Sequence, residues 1–145
     1  AVREYGLTNP AKILDKTKDI VVETLKHSSS DSIILKDGMD IALCSINFKT
    51  LELEYAGANN PLYIINPKRT HAVNNSKTVG EGYEGYEIKG DKQPVAKHFK
   101  DELFTNHKVM LEKGDMIFTF TDGYPDQFGG ERGKKFMYKQ FKQML

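Results

Sequence analysis

This chain of 145 residues has a single cysteine, Cys44. One cysteine excludes an internal disulfide and any zinc site built on several thiolates. Cys44 lies in an apolar run, where the expected role is that of a buried small hydrophobe, and a reducing cytoplasm is the expected setting. Long hydrophobic runs are also lacking. None approaches the ~18 residues of a membrane span, and no basic–apolar–small order of an export signal opens the chain. No membrane contact is therefore expected of this segment. An excess of one charge is missing too: the formal charge is +1, which removes the electrostatic case for nucleic acid. Internal repeats and an interdomain linker are absent, so residues 1–145 read as one domain. Apolar residues at 39% and charged residues at 28% suit a globular chain of this size, which buries about two-thirds of its surface.

What is present is organised around residues 116–130, MIFTFTDGYPDQFGG. An apolar, β-prone run from Met116 to Thr121 ends abruptly at Asp122-Gly123. A buried strand that delivers a carboxylate at its end is a common way to hold a metal ion, and Gly123 beside it lets backbone, water or ligand approach. The competing reading is a plain hairpin turn, since Asp-Gly after a strand is a strong hairpin signal. The sequence after Gly123 is not a returning strand, however, and helix-like sequence follows it. Asp126, four residues on, is the nearest second carboxylate; its alternative is an exposed loop or helix-capping residue.

Upstream, Asn9-Pro10 reads as a helix start, with Asn capping the first N–H groups and Pro tolerated in the first turn. Ile13, Leu14, Thr17, Ile20, Val21, Thr24 and Leu25 follow at helical spacing, and a serine-rich loop at 28–32 stops the helix. Residues 39–48 are apolar on both faces, the pattern of a buried central strand. Residues 51–55 alternate, with Leu51, Leu53 and Tyr55 on one side and Glu52 and Glu54 on a solvated side, so the two runs form an antiparallel hairpin. A glycine-containing loop at 56–61 leads into a strand at 62–65. Residues 66–85 form a polar loop, 86–89 a short strand and 90–95 a structured loop. Strands within 104–111 and 116–121 flank a four-residue turn at 112–115. Phe136, Met137, Phe141, Met144 and Leu145 are helix-spaced, placing Lys134 and Lys135 on a solvated helix face. Asp37-Gly38 reads as a turn, and Asp40 either as a polar strand end or as a group at the edge of a site.

The ordered set Asp-Gly-Met-Asp-Ile-Ala-Leu, hairpin, Tyr-Ala-Gly-Ala-Asn-Asn-Pro-Leu-Tyr, Gly-Asp-Lys-Gln-Pro, Leu-Glu-Lys-Gly-Asp and Thr-Asp-Gly resembles the SpoIIE-like branch of the PPM-type metal-dependent protein serine/threonine phosphatases. The match runs from about Ile33 to Leu145. The resemblance implies an α+β fold, an α-β-β-α sandwich of mostly antiparallel strands with flanking helices. It implies a cluster of aspartates holding two manganese or magnesium ions, with Asp122 as a metal ligand next to the Gly123 backbone; Asp126 is a weaker candidate, by its nearness alone. The family's Ala-Gly-His-Asn-Pro-like loop corresponds to residues 56–61, which makes Asn59, with Asp40, a possible site-edge residue. No catalytic residue beyond the metal site is implied.

Two family segments have no counterpart. None of His27, His71, His98 and His107 has a glycine neighbour, so the upstream Gly-His-Gly motif is absent, and no two aspartates are adjacent, so the C-terminal Asp-Asp pair is absent as well. The chain thus reads as the middle of a catalytic domain with both ends missing. Magnesium and manganese want several oxygen ligands, and a two-metal hydrolase holds its ions ~3.5–4 Å apart, which one secure carboxylate cannot do. The expectation is a phosphatase fragment that is inactive in isolation, whose parent acts on phosphoserine or phosphothreonine of a bacterial-type signalling regulator; the alternative is a non-catalytic, protein-binding module. Missing strands would leave sheet edges uncovered, so self-association is also expected.

Overall fold

The computed structural model describes residues 1–28, 38–79, 85–96, 102–123, 125–129, 133–137 and 140. A short helix α1 (Val2–Tyr5) precedes α2 (Pro10–Ser28). Asn9 caps α2 as its sequence predicts, its Oδ1 accepting from the Lys12 N–H at 3.1 Å. Pro10, Ala11, Leu14 and Lys18 of α2 are buried, whereas Thr24 on the expected apolar face is exposed. A lysine in that row is tolerable because its Nζ donates to Gln93 Oε1 at 3.3 Å and to the Glu102 carbonyl at 3.4 Å.

The strands are β1 (Ile41–Asn47), β2 (Glu52–Ala58), β3 (Leu62–Ile65), β4 (Lys77–Val79), β5 (Gly85–Ile88), β6 (His107–Met110), β7 (Met116–Thr119), β8 (Phe128–Gly129) and β9 (Lys134–Lys135). They form a three-stranded sheet in the order β1-β2-β6, a four-stranded sheet in the order β4-β5-β3-β7 and a two-stranded β8-β9 ladder, and every pairing within them is antiparallel. Alternation along each strand builds the layers. Leu53 and Tyr55 of β2 and Val109 of β6 meet Leu62 and Ile64 of β3 and Tyr86 and Ile88 of β5 in one core between the sheets. On the opposite face of the first sheet, Ala56, Ala58, Ile41 and Leu43 pack with Ala11 and Leu14 of α2. The result is an α+β stack of helix on sheet on sheet.

Several expectations change. The hairpin of β1 and β2 forms, but β2 rather than β1 is the central strand, and among the described residues β1 is an edge. Its two apolar faces arise from layers above and below, not from strands on both sides. Leu51 lies outside β2 at φ 59 and is 45% exposed, so the buried alternation starts at Leu53. The expected loop at 56–61 is shorter, because β2 runs through Ala58. Glu52 and Glu54 are not simply solvated: Lys108 Nζ lies 3.2 Å from the first and 2.6 Å from the second. Residues 66–85 hold β4 and the buried Arg69. The turn at 112–115 lies between two strands as expected, and it carries the chain from β6 in one sheet to β7 in the other. Lys134 and Lys135 pair with Gly129 and Phe128 as a strand instead of opening a helix. Asp37, most of the serine-rich loop and most of the expected C-terminal helix lie outside the described residues.

Candidate functional site

Antiparallel pairing gathers the candidate residues at one end of the stack. Ile41 at the start of β1 faces Ala58 at the end of β2. Leu62 at the start of β3 faces both Ile88 at the end of β5 and Thr119 at the end of β7. Asp40, Asn59, the 90–92 turn and Asp122 therefore all emerge from the same end.

The loop at this end is tightly built. Asn59 takes a left-handed conformation, φ 59, which Asn tolerates better than most residues, and its Nδ2 donates to Asp40 Oδ1 at 2.7 Å. The Asn59 N–H donates to the Asp91 carbonyl and the Asp91 N–H to the Gly57 carbonyl, both at 2.8 Å. Asp91 in turn accepts from the Thr105 N–H at 2.7 Å and its hydroxyl at 2.9 Å. The buried Tyr55 hydroxyl donates to the Asn60 carbonyl at 2.5 Å, and burial, the leading cause, pushes its pKa well up, so it stays a protonated donor. Gly57 and Gly90 allow this closeness. A Cβ on Gly57 would fall 2.5 Å from the Asn60 carbonyl oxygen, and one on Gly90 would fall 2.8 Å from that same oxygen.

Asp122 and Gly123 are exposed just beyond β7. Among the described residues no strand returns along β7 after them, since β8 pairs with β9. A Cβ on Gly123 would meet only Thr121 Oγ1, at 3.5 Å, so sterics do not demand glycine there. The Asp126 N–H donates to the Asp122 carbonyl at 2.8 Å, which brings the two residues together through backbone. The Asp126 carboxylate, however, is engaged by Lys135 Nζ at 2.7 Å. Among the described residues, no three His, Cys, Asp or Glu side chains stand together as a metal ion would need. The described residues by themselves do not fit a two-ion centre; what they supply is one open strand-end carboxylate beside a braced loop.

At the opposite end lies a cluster that periodicity did not reveal. Arg69, with a side chain 3% exposed, pairs with Asp115, 2% exposed. Its Nε donates to the His71 carbonyl and a terminal nitrogen to the Met110 carbonyl, each at 2.8 Å. Asp115 also accepts from Asn66 Nδ2 and the Glu112 N–H, each at 2.9 Å. Glu112 accepts from the N–H groups of Thr70 and His71 at 2.9 and 3.0 Å, and these bonds, the Thr70 N–H foremost, hold its carboxyl down at about 2. The cluster fastens the 66–71 loop to the turn that launches β7. Its only sequence signal was a set of charged residues inside two polar loops.

No family model matches the chain, and no curated protein matches it. Among solved structures, it is similar to the SiaA-PP2C domain of Pseudomonas aeruginosa, with a TM-score of 0.72 and 27% identity. The likeness covers 98% of this chain and 47% of that one, so the chain spans about half the length of its neighbour. The fold is that of a PP2C (PPM-type) phosphatase module.

Proposed function

We propose that this module is the central part of a metal-dependent protein serine/threonine phosphatase of the SpoIIE-like branch, and that Asp122 supplies one ligand of a manganese or magnesium site completed by residues beyond those described. The observation that carries the reading is the placement of Asp122. It stands at the open end of a strand, next to the braced 56–61 loop, in a fold similar along almost its whole length to a PP2C domain. The substrate class is phosphoserine or phosphothreonine on a cytoplasmic signalling regulator. A second reading, a protein-binding module without turnover, is favoured by the Lys135 ammonium on Asp126, which occupies that carboxylate with a cation of the chain's own.

The two readings separate by assay. The isolated chain should hydrolyse an aryl phosphate or a phosphopeptide negligibly with manganese. Protein expressed from the longer reading frame should turn over, and Asp122→Ala should remove that turnover. Strong manganese-dependent activity of the isolated chain, lost in Asp122→Ala, would show that its own residues complete the site. A long form that stays inactive would favour the binding module.

A further inference from the structure

A cavity of about 240 Å³ opens beside Asn59 and is lined by Tyr63, Glu87, Lys89 and Lys92, among others. Its charge is unbalanced. Lys89 and Lys92 are exposed, and neither has a carboxylate within ion-pair distance among the described residues. The carboxylates around them are turned to other partners. Glu87 accepts from the Tyr63 hydroxyl at 2.8 Å, Asp91 takes both Thr105 donors, and Asp40 takes Asn59. Two lysines without a described ion-pair partner thus line an open hollow.

Position gives this hollow a bearing on the site. Tyr63 sits in β3 between Glu87 of β5 and Phe118 of β7. Its ring stacks on Phe120, two residues before Asp122, with centroids 5.2 Å apart. The cavity lies on the β5 side of Tyr63 and Asp122 on the β7 side. Two strand spacings separate the outer strands, roughly 10 Å, which an extended peptide covers in about three residues. We propose that Lys89 and Lys92 are specificity-determining residues that receive acidic side chains of a phosphopeptide about three residues from its phosphorylated position. The inference rests on the phosphatase reading for the location of the phosphoryl group, but the preference for acidic peptide is a property of the cavity itself.

The test is fluorescence anisotropy with the 145-residue chain and two labelled phosphoserine peptides, identical except for a Glu pair or a Gln pair three residues from the phosphoserine. The Glu peptide should bind more tightly, and Lys89→Glu/Lys92→Glu should weaken it about tenfold or more while leaving the Gln peptide little changed. Added salt should erode the difference. Far-UV circular dichroism checks that the double variant is folded, as expected for two exposed positions. Equal binding of the two peptides, or a Glu preference that survives charge reversal, overturns the proposal. If the longer protein hydrolyses phosphopeptides but shows no acidic preference, this inference fails and the phosphatase reading stands. If the preference is present but no form hydrolyses, the cavity stands as a peptide-docking site and the phosphatase reading fails.

Discussion

Replacing Asp115 with Ala should destabilise this protein far more than an ordinary charge deletion. The carboxylate is almost fully covered and serves three donors: the Arg69 guanidinium, Asn66 Nδ2 and the Glu112 N–H. Arg69 cannot simply swing into solvent, because two carbonyls from different elements still hold it. Asp115→Ala therefore leaves the buried cation with only the looser Glu112 carboxylate, 3.9 Å from its Nε, a change that costs up to about 3–5 kcal/mol. That is a large part of the roughly 5–15 kcal/mol by which domains are stable. Removing the cation as well should relieve much of the loss, so Arg69→Met combined with Asp115→Ala should be about 2 kcal/mol better than the sum of the single changes. Urea denaturation followed by far-UV circular dichroism is the suitable assay, since the chain has no tryptophan. A loss below about 1 kcal/mol for Asp115→Ala, or strict additivity in the cycle, would refute the claim that this pair fastens the turn.

Acid should weaken the fold in two stages. The His107 pKa is lowered from the ordinary 6.5, mainly by burial, so the unfolded chain binds the proton first and stability falls as pH drops below about 6.5. Glu112, lowered from 4.5 to about 2, contributes stability that is present above pH 4.5 and lost as pH falls toward 2; melting temperatures across that range read both stages, and a flat profile would contradict them. Self-association is a further expected outcome. Residues 41–47 of the β1 edge carry no charge and, among the described residues, pair on one side only. Light scattering should show concentration-dependent growth that the exposed Ser45→Lys change suppresses, since an edge lysine blocks strand addition; a monomer at every concentration would count against it.

What was legible in the sequence was local. The cap at Asn9, the β1–β2 hairpin, the strand at 62–65 and the strand that ends before Asp122 each carry their signal within a few residues. Strand order was not legible. Residues 39–48 look central because Ala42, Cys44 and Ile46 face one core while Ile41 and Leu43 face another, and a local pattern cannot say whether covering layers or flanking strands bury a residue. The turn at 112–115 is legible as a turn between strands, but not that its two strands belong to different sheets. Lys18 and Arg69 escaped because their stems are buried while their charged ends are satisfied by groups far along the chain, Glu102 and Asp115. The site is harder still. Asp122 is visible as a strand-end carboxylate, but the company it keeps depends on chain reversals elsewhere.

The strand order also has a consequence in time. β2 pairs at once with β1, its hairpin partner, yet its other edge waits for β6, and Leu53 meets Val109 only after more than fifty intervening residues have been made. β3 waits similarly for β7, with Leu62 facing Thr119. Closing such long loops costs entropy before any contact repays it, which slows assembly. A nascent chain that has emerged as far as β3 therefore presents both flanks of the hairpin, the uncharged β1 among them, to its surroundings. The interval before β6 and β7 arrive is when this protein is most exposed to pairing with the wrong partner.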